Sequence, residues 1–131
     1  MLRAKCIKAN IEPVDGLRIS VMSRHTLEDG VTIDKEINEN TFDEWWKVLS
    51  PPDDLVGSYY KRGLGWDKFS QKYLDYLGSI EPITTLSHLA NMALTQNVTV
   101  MCVEESSEYC HRKLLVEKCK LILPDIIVAI N

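Results

Sequence analysis

The sequence has no apolar run that approaches the roughly 18–20 residues of a membrane-spanning helix. At the N-terminus, Arg3 and Lys5 introduce charge at once, so the apolar h-region of a secretory signal peptide is also missing. These two absences predict a cytoplasmic protein with no membrane as a partner.

Positive charge is not in excess either. The chain has 15 lysine and arginine residues against 19 aspartate and glutamate residues, which gives a formal net charge of −4. A protein that holds nucleic acid through phosphate contacts usually carries a positive field. The charge balance therefore argues against nucleic acid as a partner, although a local basic patch stays compatible with it.

Cysteine pairs with the short spacing of metal or redox motifs are also lacking. The four cysteines are Cys6, Cys102, Cys110 and Cys119. None forms a Cys-x-x-Cys pair, and together with His111 they lack the paired spacing of zinc ligands. A glycine-rich phosphate loop is missing too, because Gly63-Leu64-Gly65 has no third glycine and follows no strand. We therefore expect reduced cysteines in a reducing cytosol, no metal site and no cofactor.

What the sequence does contain is the pattern of an α/β protein. Alternating or wholly apolar segments predict strands over residues 3–9, 17–22, 97–103 and 125–130. The last two strands enclose a predicted helix over 108–121, which makes a right-handed βαβ unit. The turn at Asp15-Gly16 leaves open whether the first two strands form a hairpin or lie as neighbours. We predict one α/β domain over residues 1–131, with a small, partly parallel sheet of about four strands flanked by helices.

Helix signals occupy the middle of the chain. Thr41 and Glu44 form a capping-box pattern, which predicts a short helix through Trp45, Trp46 and Leu49. Three longer helices are predicted after Ser50, over 66–77 and from Glu81 onward. The acidic stretch 23–40 reads as a long loop with one short element near residues 31–33.

Reactive side chains gather where the strand over 97–103 ends, and ligands of open α/β sheets bind beyond the carboxyl ends of parallel strands. If Ser107 caps the following helix, Cys110 lies in the first turn, where the helix dipole favours a thiolate. Cys110 is then a candidate nucleophile, with Glu104 or His111 as its proton-transfer partner. The alternative is a buried cysteine that packs as a small hydrophobic residue.

Histidine partners for Cys110 are limited by helix geometry. Consecutive helical side chains point about a third of a turn apart, so a direct pair between Cys110 and His111 is not expected. His25, after the second predicted strand, is the better candidate if that strand runs parallel to residues 97–103. Its neighbour Arg24 would then share the same edge; the alternative is two solvated loop residues.

Two arginines are candidate ligands for an anion. A guanidinium at a helix N-terminus suits a phosphate or carboxylate, which predicts a binding role for Arg112 beside His111, and Arg24 is the second candidate. The alternative for Arg112 is a salt bridge with one of the nearby carboxylates, Glu104, Glu105 or Glu108.

These residues carry a family resemblance. The stretch Trp46–Pro51 resembles a Trp-Leu-Lys-Glu-Leu-Ala-Pro segment of YeaO-like proteins, and so does the stretch from Trp66 to Leu77. Glu104 followed by Cys110-His111-Arg112 resembles an element of the wider domain-of-unknown-function family to which those proteins belong. The resemblance covers most of the chain from Gly16 onward and implies a small cytoplasmic α/β domain with no established reaction.

One segment departs from that family pattern. YeaO-like proteins tend to have Asp-Arg-Leu-Trp-Pro-Arg-Gly after the second strand, whereas this chain has Ser23–Gly30. Only one arginine, Arg24, and the glycine, Gly30, are kept. A ligand site built on this loop is therefore altered or lost.

Three interpretations of the function remain open. The first is a binding site for an anionic small molecule, nucleotide-like or phosphate-like, made by Arg24, Glu104, Cys110, His111 and Arg112. Its sharper form is a cysteine-dependent enzyme in which Cys110 attacks and Glu104 or His25 moves protons. The second is a non-catalytic interaction or regulatory module with an aromatic helical face made by Trp45, Tyr59, Tyr60 and Trp66. A weaker third reading is a redox-sensing thiol at Cys110, for which Cys102 is the resolving partner nearest in sequence.

Overall fold

The computed structural model describes all 131 residues and has the α/β architecture that the sequence predicts. The five strands are β1 (Leu2–Cys6), β2 (Leu17–Ser20), β3 (Glu44–Trp45), β4 (Val98–Cys102) and β5 (Val128–Ile130). The four helices are α1 (Asp53–Lys61), α2 (Trp66–Leu77), α3 (Ile80–Thr95) and α4 (His111–Ile122). Two single 3₁₀ turns cover Pro13–Asp15 and Lys47–Leu49.

The strands form one sheet in the order β3-β2-β4-β1-β5, and every neighbouring pair is parallel. The prediction of about four partly parallel strands is thus close, with one more strand and no antiparallel pair. The hairpin alternative is wrong, because β1 and β2 both pair with β4 and lie on either side of it. All five residues of β4 are buried, as its apolar composition predicts for the central strand of a parallel sheet.

The two faces of the sheet are covered differently. Leu2, Ile19 and Val100 point to the face on which the helices pack, and they are fully buried in the main hydrophobic core. The opposite face carries charged residues. Asp15, which is 1% exposed, bonds to Arg3 at 2.8 Å and to Lys5 at 3.0 Å. The pairing explains why β1, an interior strand, can bear two cations, since a buried charge needs a partner.

Further along this second face, the loop over 23–43 replaces a helical layer. Ile37 of the loop packs with Ile7, Met22 and Met101 in a separate small cluster. The loop contains a single antiparallel bridge between Thr26 and Ile33, which fits the short element predicted near residues 31–33.

The predicted capping box does not form. The Thr41 hydroxyl bonds to the backbone of Asn38, and Glu44 and Trp45 pair with the end of β2 as the edge strand β3. Only a 3₁₀ turn, Lys47–Leu49, follows. Backbone pairing with β2 therefore overrides the local helix signal.

None of the four helices combines the length and the apolar character that crossing a membrane requires.

Candidate functional site

At the carboxyl edge of the sheet, the neighbouring strands β2 and β4 form a topological switch point, which we call the crevice. The chain leaves β2 towards β3 on one side, whereas it leaves β4 through α4 towards β5 on the other side. Ligands of open α/β sheets bind where neighbouring connections diverge in this way. Arg24 and His25 follow β2 and Glu104 follows β4, so three predicted site residues lie on the two loops that border the crevice.

The last turn of α1 connects these two loops. The hydroxyl of Tyr60 donates a hydrogen bond to Oε1 of Glu104 at 2.7 Å. The next residue, Lys61, approaches Gly30 in the loop after β2. A Cβ added to Gly30 would lie 3.8 Å from the Lys61 Nζ and 3.3 Å from the Arg24 Nη1. Sequence patterns did not identify Tyr60 and Lys61 in this role, because nothing local links α1 to either loop.

Arg24 keeps an accessible guanidinium. Its Nη1 donates to the carbonyl of Gly30 at 3.3 Å, and its Nη2 lies 3.7 Å from a carboxylate oxygen of Asp53. The Arg24 side chain is 48% exposed, so a ligand in solvent can reach it.

Tyr60 is a hydrogen-bond donor in this arrangement. Burial raises its pKa, and the hydrogen bond to Glu104 and the charge of that carboxylate add to the effect. The phenol therefore stays protonated at neutral pH and orients the Glu104 carboxylate at the edge of the crevice.

His25 lies beside the end of β2, but it does not reach Cys110. Its Nε2 hydrogen-bonds with the Ser20 hydroxyl at 2.7 Å, and its ring packs 4.0 Å from the ring of Trp45. Burial lowers the pKa of His25 and favours the neutral ring. The catalytic role for His25 stays a prediction, and the structure provides no hydrogen bond between His25 and the Cys110 sulfur.

The cysteine prediction is wrong for two of the four thiols. The sulfurs of Cys102 and Cys110 are joined as a disulfide, and only Cys6 and Cys119 are free. Cys102 ends β4 and Cys110 precedes α4, so the loop of the crossover brings them together. In the bonded form Cys110 has no thiolate to offer, and a nucleophilic role for it belongs to the reduced form alone.

Cys110 and His111 are closer than helix geometry predicts. The helix starts at His111, and Cys110 is its N-cap with an extended backbone. The two side chains therefore do not follow helical spacing, and Sγ of Cys110 lies 4.0 Å from Nδ1 of His111. The predicted start of this helix, at residue 108, is wrong for the same reason.

His111 has a fixed tautomer. Its Nε2 lies 2.8 Å from the carbonyl oxygen of Val21, which can only accept, so Nε2 carries the proton and Nδ1 keeps its lone pair. The pKa of His111 is lowered to about 4, chiefly by burial; the hydrogen bond to Val21 opposes this shift and the charge of Arg112 adds to it. At neutral pH the ring is uncharged.

Arg112 is fully buried and joins several segments. It donates to the carbonyls of Glu104 at 2.6 Å and Glu105 at 3.2 Å, and to the main-chain oxygen of Asn131 at 3.0 Å. The predicted alternative of a salt bridge with Glu104, Glu105 or Glu108 is wrong, since Arg112 bonds to the first two through their main-chain carbonyls and not their carboxylates. Direct binding of an anion by Arg112 stays a prediction, and its donors are engaged by protein atoms in this structure.

The guanidinium also faces the disulfide. Nη1 of Arg112 lies 3.2 Å from the Cys102 sulfur and 3.4 Å from the Cys110 sulfur. The ligand atoms of Cys102, Cys110 and His111 all lie within 4.8 Å of one another. This cluster was missed because ligand spacing along the sequence does not detect residues that a crossover brings together.

Three of the four residues of the predicted aromatic face pack together, because the Tyr59 ring contacts the rings of both Tyr60 and Trp66. Trp66 packs against Tyr59 and Tyr109 with ring centroids 5.7 Å away in each case, whereas Trp45 packs on His25 instead. Residues 63–68, which include Trp66, and Tyr109 line an open depression of about 490 Å³.

Comparison with known proteins adds one match. A family model described as "Active DUF488-N3 subclade", DUF488-N3a, matches residues 2–121. Searches of curated proteins and of solved structures found no match.

Proposed function

The chain belongs to the DUF488-N3a family, and we propose that it binds an anionic small molecule, nucleotide-like or phosphate-like, in the crevice between β2 and β4. Support comes from the convergence of two cations beside Gly30. Arg24 and Lys61 reach this point from different elements, although the chain as a whole carries a net charge of −4. Paired cations suit a phosphate or carboxylate group, which they hold through charge-assisted hydrogen bonds.

Gly30 leaves space for a ligand between the two cations because it has no side chain. Its φ of +72° is a conformation that favours glycine, and a Cβ would stand within contact distance of both cations. Arg24 and Gly30 are also the residues of the loop after β2 that keep the pattern of YeaO-like proteins. The two residues of the loop that match the family pattern are thus the residues that lie next to Lys61.

Glu104 supplies the group for acid–base chemistry in the enzymatic form of this proposal. It lies on the loop after β4 that borders the crevice, and the Tyr60 hydroxyl orients its carboxylate. A carboxylate next to a bound anion could take a proton from a substrate or from water. Cys110 could add nucleophilic attack after reduction of its bond to Cys102. The word "Active" in the family description favours this enzymatic form.

Calorimetric titration with AMP and with inorganic phosphate tests the binding site. The variants Arg24→Gln and Lys61→Gln each remove one cation, and Arg62→Gln is the matched control because Arg62 is exposed on the same helix end and bonds to Asp54. We expect each of the first two variants to weaken binding about tenfold, since a charge-assisted hydrogen bond contributes on the order of 1.5 kcal/mol. The control should bind as the wild type does.

Two results would contradict the anion site. One is that neither probe binds to the folded wild-type protein at low ionic strength. The other is that Arg24→Gln and Lys61→Gln bind as tightly as Arg62→Gln. Glu104→Gln separates binding from chemistry, because it should keep the affinity for phosphate while it removes turnover of any substrate that a screen identifies.

A protein-interaction module is the second candidate, and the depression beside Trp66 favours it. Tyr109 is 56% exposed at its rim, and aromatic residues commonly anchor interfaces. A folded Tyr109→Ala variant that loses a partner while it keeps phosphate affinity would support this candidate over the first.

Two finer assignments also belong to the proposal. The likeness of Trp46–Pro51 and Trp66–Leu77 to YeaO-like proteins supports placing the chain near that group within the wider family. The same likeness also supports a cytoplasmic location.

A further inference from the structure

We propose that Cys102, Cys110 and His111 form a zinc-class metal site when a thiol reductant opens the Cys102–Cys110 bond. Its ligands come from the end of β4 and the start of α4, so none of them is a cation of the anion site, and Cys110 alone is common to the metal site and the enzymatic form of the proposed function. The metal site does not depend on the proposed function.

The His111 nitrogen already lies near the separation from the Cys110 sulfur that a tetrahedral ion requires, whereas the two sulfurs are bonded here and must move apart after reduction. With Zn–S bonds of about 2.3 Å and Zn–N bonds of about 2.0 Å, neighbouring ligand atoms lie roughly 3.5–3.8 Å apart. The Cys110 sulfur and the His111 Nδ1 are 4.0 Å apart, and all three ligand atoms lie within 4.8 Å of one another. Small side-chain rotations would therefore complete this part of the coordination sphere.

His111 is oriented as a ligand. Its Nε2 proton is donated to the Val21 carbonyl, so the lone pair of Nδ1 points towards the sulfurs. Histidines that bind metals almost always donate their second nitrogen to a carbonyl or carboxylate in this way. The Val21 bond thus fixes both the ring and the tautomer before any ion is present.

The backbone leaves room between the two cysteines. Their Cα atoms are 7.7 Å apart, whereas the Cα atoms of bridged cysteines usually lie about 4.4–6.8 Å apart. Once the sulfurs separate, an ion can lie between them without movement of β4 or α4.

Arg112 lies next to both cysteine sulfurs and stabilises their thiolate forms. Its Nη1 faces both sulfurs at 3.2 Å and 3.4 Å, so two thiolates would be stabilised by one adjacent cation. A divalent ion with two thiolates, a neutral histidine and this guanidinium leaves a small positive net charge. Three protein ligands leave one tetrahedral position open, as in catalytic zinc sites with a Cys₂His ligand set.

The reducing step balances with a dithiol as the co-reactant. Its two thiols break the Cys102–Cys110 bond by thiol–disulfide exchange, the dithiol becomes a cyclic disulfide, and both cysteines become thiols. Binding of a divalent ion then releases the two thiol protons. The divalent metal ion therefore binds the reduced protein but not the oxidised protein.

Anaerobic titration with Co²⁺ is the direct test, because thiolate ligands give Co²⁺ a charge-transfer absorption in the near ultraviolet. Protein reduced with a dithiol and then freed of it should develop this absorption and saturate at one ion per chain. Added Zn²⁺ should displace the cobalt, and the oxidised protein should show no such absorption. Absence of the absorption from the reduced, folded protein would overturn the proposal.

Matched variants assign the ligands. His111→Gln and Cys110→Ser should weaken cobalt binding by more than about 100-fold, as expected when a ligand is removed from a three-ligand set. His88→Gln and Cys119→Ser change residues outside the cluster and should bind as the wild type does. If Cys110→Ser does not fold, the comparison of His111→Gln with His88→Gln decides the question. Equal cobalt affinity in that pair would refute the site.

Discussion

At the scale of single residues, backbone conformation and buried partners determine what each side chain can do. Cys110 shows this most clearly. Its position after the central strand was predicted from the sequence, and so was its closeness to Glu104 and Arg112 along the chain. Its bond to Cys102 and its separation of 4.0 Å from His111 were not predicted, because both depend on an extended N-cap that sequence spacing does not reveal.

Gly16 gives a prediction on backbone conformation. Its φ is +62°, and an added Cβ would overlap the carbonyl oxygen of Asn97 and lie 2.8 Å from the Asn97 Cβ. We expect Gly16→Ala to lower the free energy of unfolding by at least about 3 kcal/mol, because strain and backbone overlap add. Gly63→Ala is the control, since Gly63 also has a positive φ but nothing within 4 Å, and it should lose only about 1 kcal/mol. Urea unfolding measures both, and equal losses would contradict the close approach to Asn97.

His111 gives a prediction on pH. Its pKa falls from 6.5 in the unfolded chain to about 4 in the folded protein. The unfolded state therefore binds the extra proton between these values, so stability is complete above pH 6.5 and decreases as the pH falls towards 4. The loss should reach about 3 kcal/mol at pH 4.

The measurement is the free energy of unfolding from pH 4 to 7 for the wild type and for His111→Gln. The variant should lack most of this pH dependence, whereas the part due to His25 should remain in both proteins. Parallel curves for the two proteins would show that the His111 ring is not held neutral by burial.

At the scale of elements, local signals predicted the helices better than the strands. The helix over Trp66–Leu77 was predicted to the residue, because its apolar spacing belongs to the segment itself. The edge strand β3 was missed, since only backbone bonds to β2, far away in the sequence, make Glu44 and Trp45 extended. Residues 47–49 form a single 3₁₀ turn that packs against α2 and α3 instead of the predicted helix.

That packing gives a prediction on α2. The fully buried hydroxyl of Tyr73 donates to the carbonyl of Leu49 at 2.6 Å, and Tyr76 makes the corresponding bond to Val48 at 2.7 Å with its hydroxyl partly buried. We expect Tyr73→Phe to cost about 2 kcal/mol, because no water can replace the bond in the core. Tyr76→Phe, where water can reach, should cost less than about 1 kcal/mol. Thermal unfolding of both variants measures the two losses of stability. A larger loss for Tyr76→Phe than for Tyr73→Phe would contradict the difference in burial between the two hydroxyls.

At the scale of the whole molecule, the arrangement of the strands could not be predicted from the sequence. The βαβ unit at the C-terminus was predicted, but the insertion of β1 between β4 and β5 depends on contacts over nearly the full chain length. Strand order in turn sets the position of the crevice. Arg24 and Glu104 border the same crevice because β2 and β4 are neighbours, whereas Lys61 joins them only through the packing of α1.

The central claim is that an anionic ligand binds in the crevice between β2 and β4. The most direct measurement is a two-dimensional ¹⁵N–¹H NMR titration of the isotope-labelled protein with AMP, with inorganic phosphate as the second probe. Saturable shifts should appear at the amides of Arg24, Gly30, Lys61 and Glu104, while the amides of α3 remain unchanged. Saturable shifts confined to another surface, such as the depression beside Trp66, would contradict the claim, and so would the absence of saturable shifts with both probes.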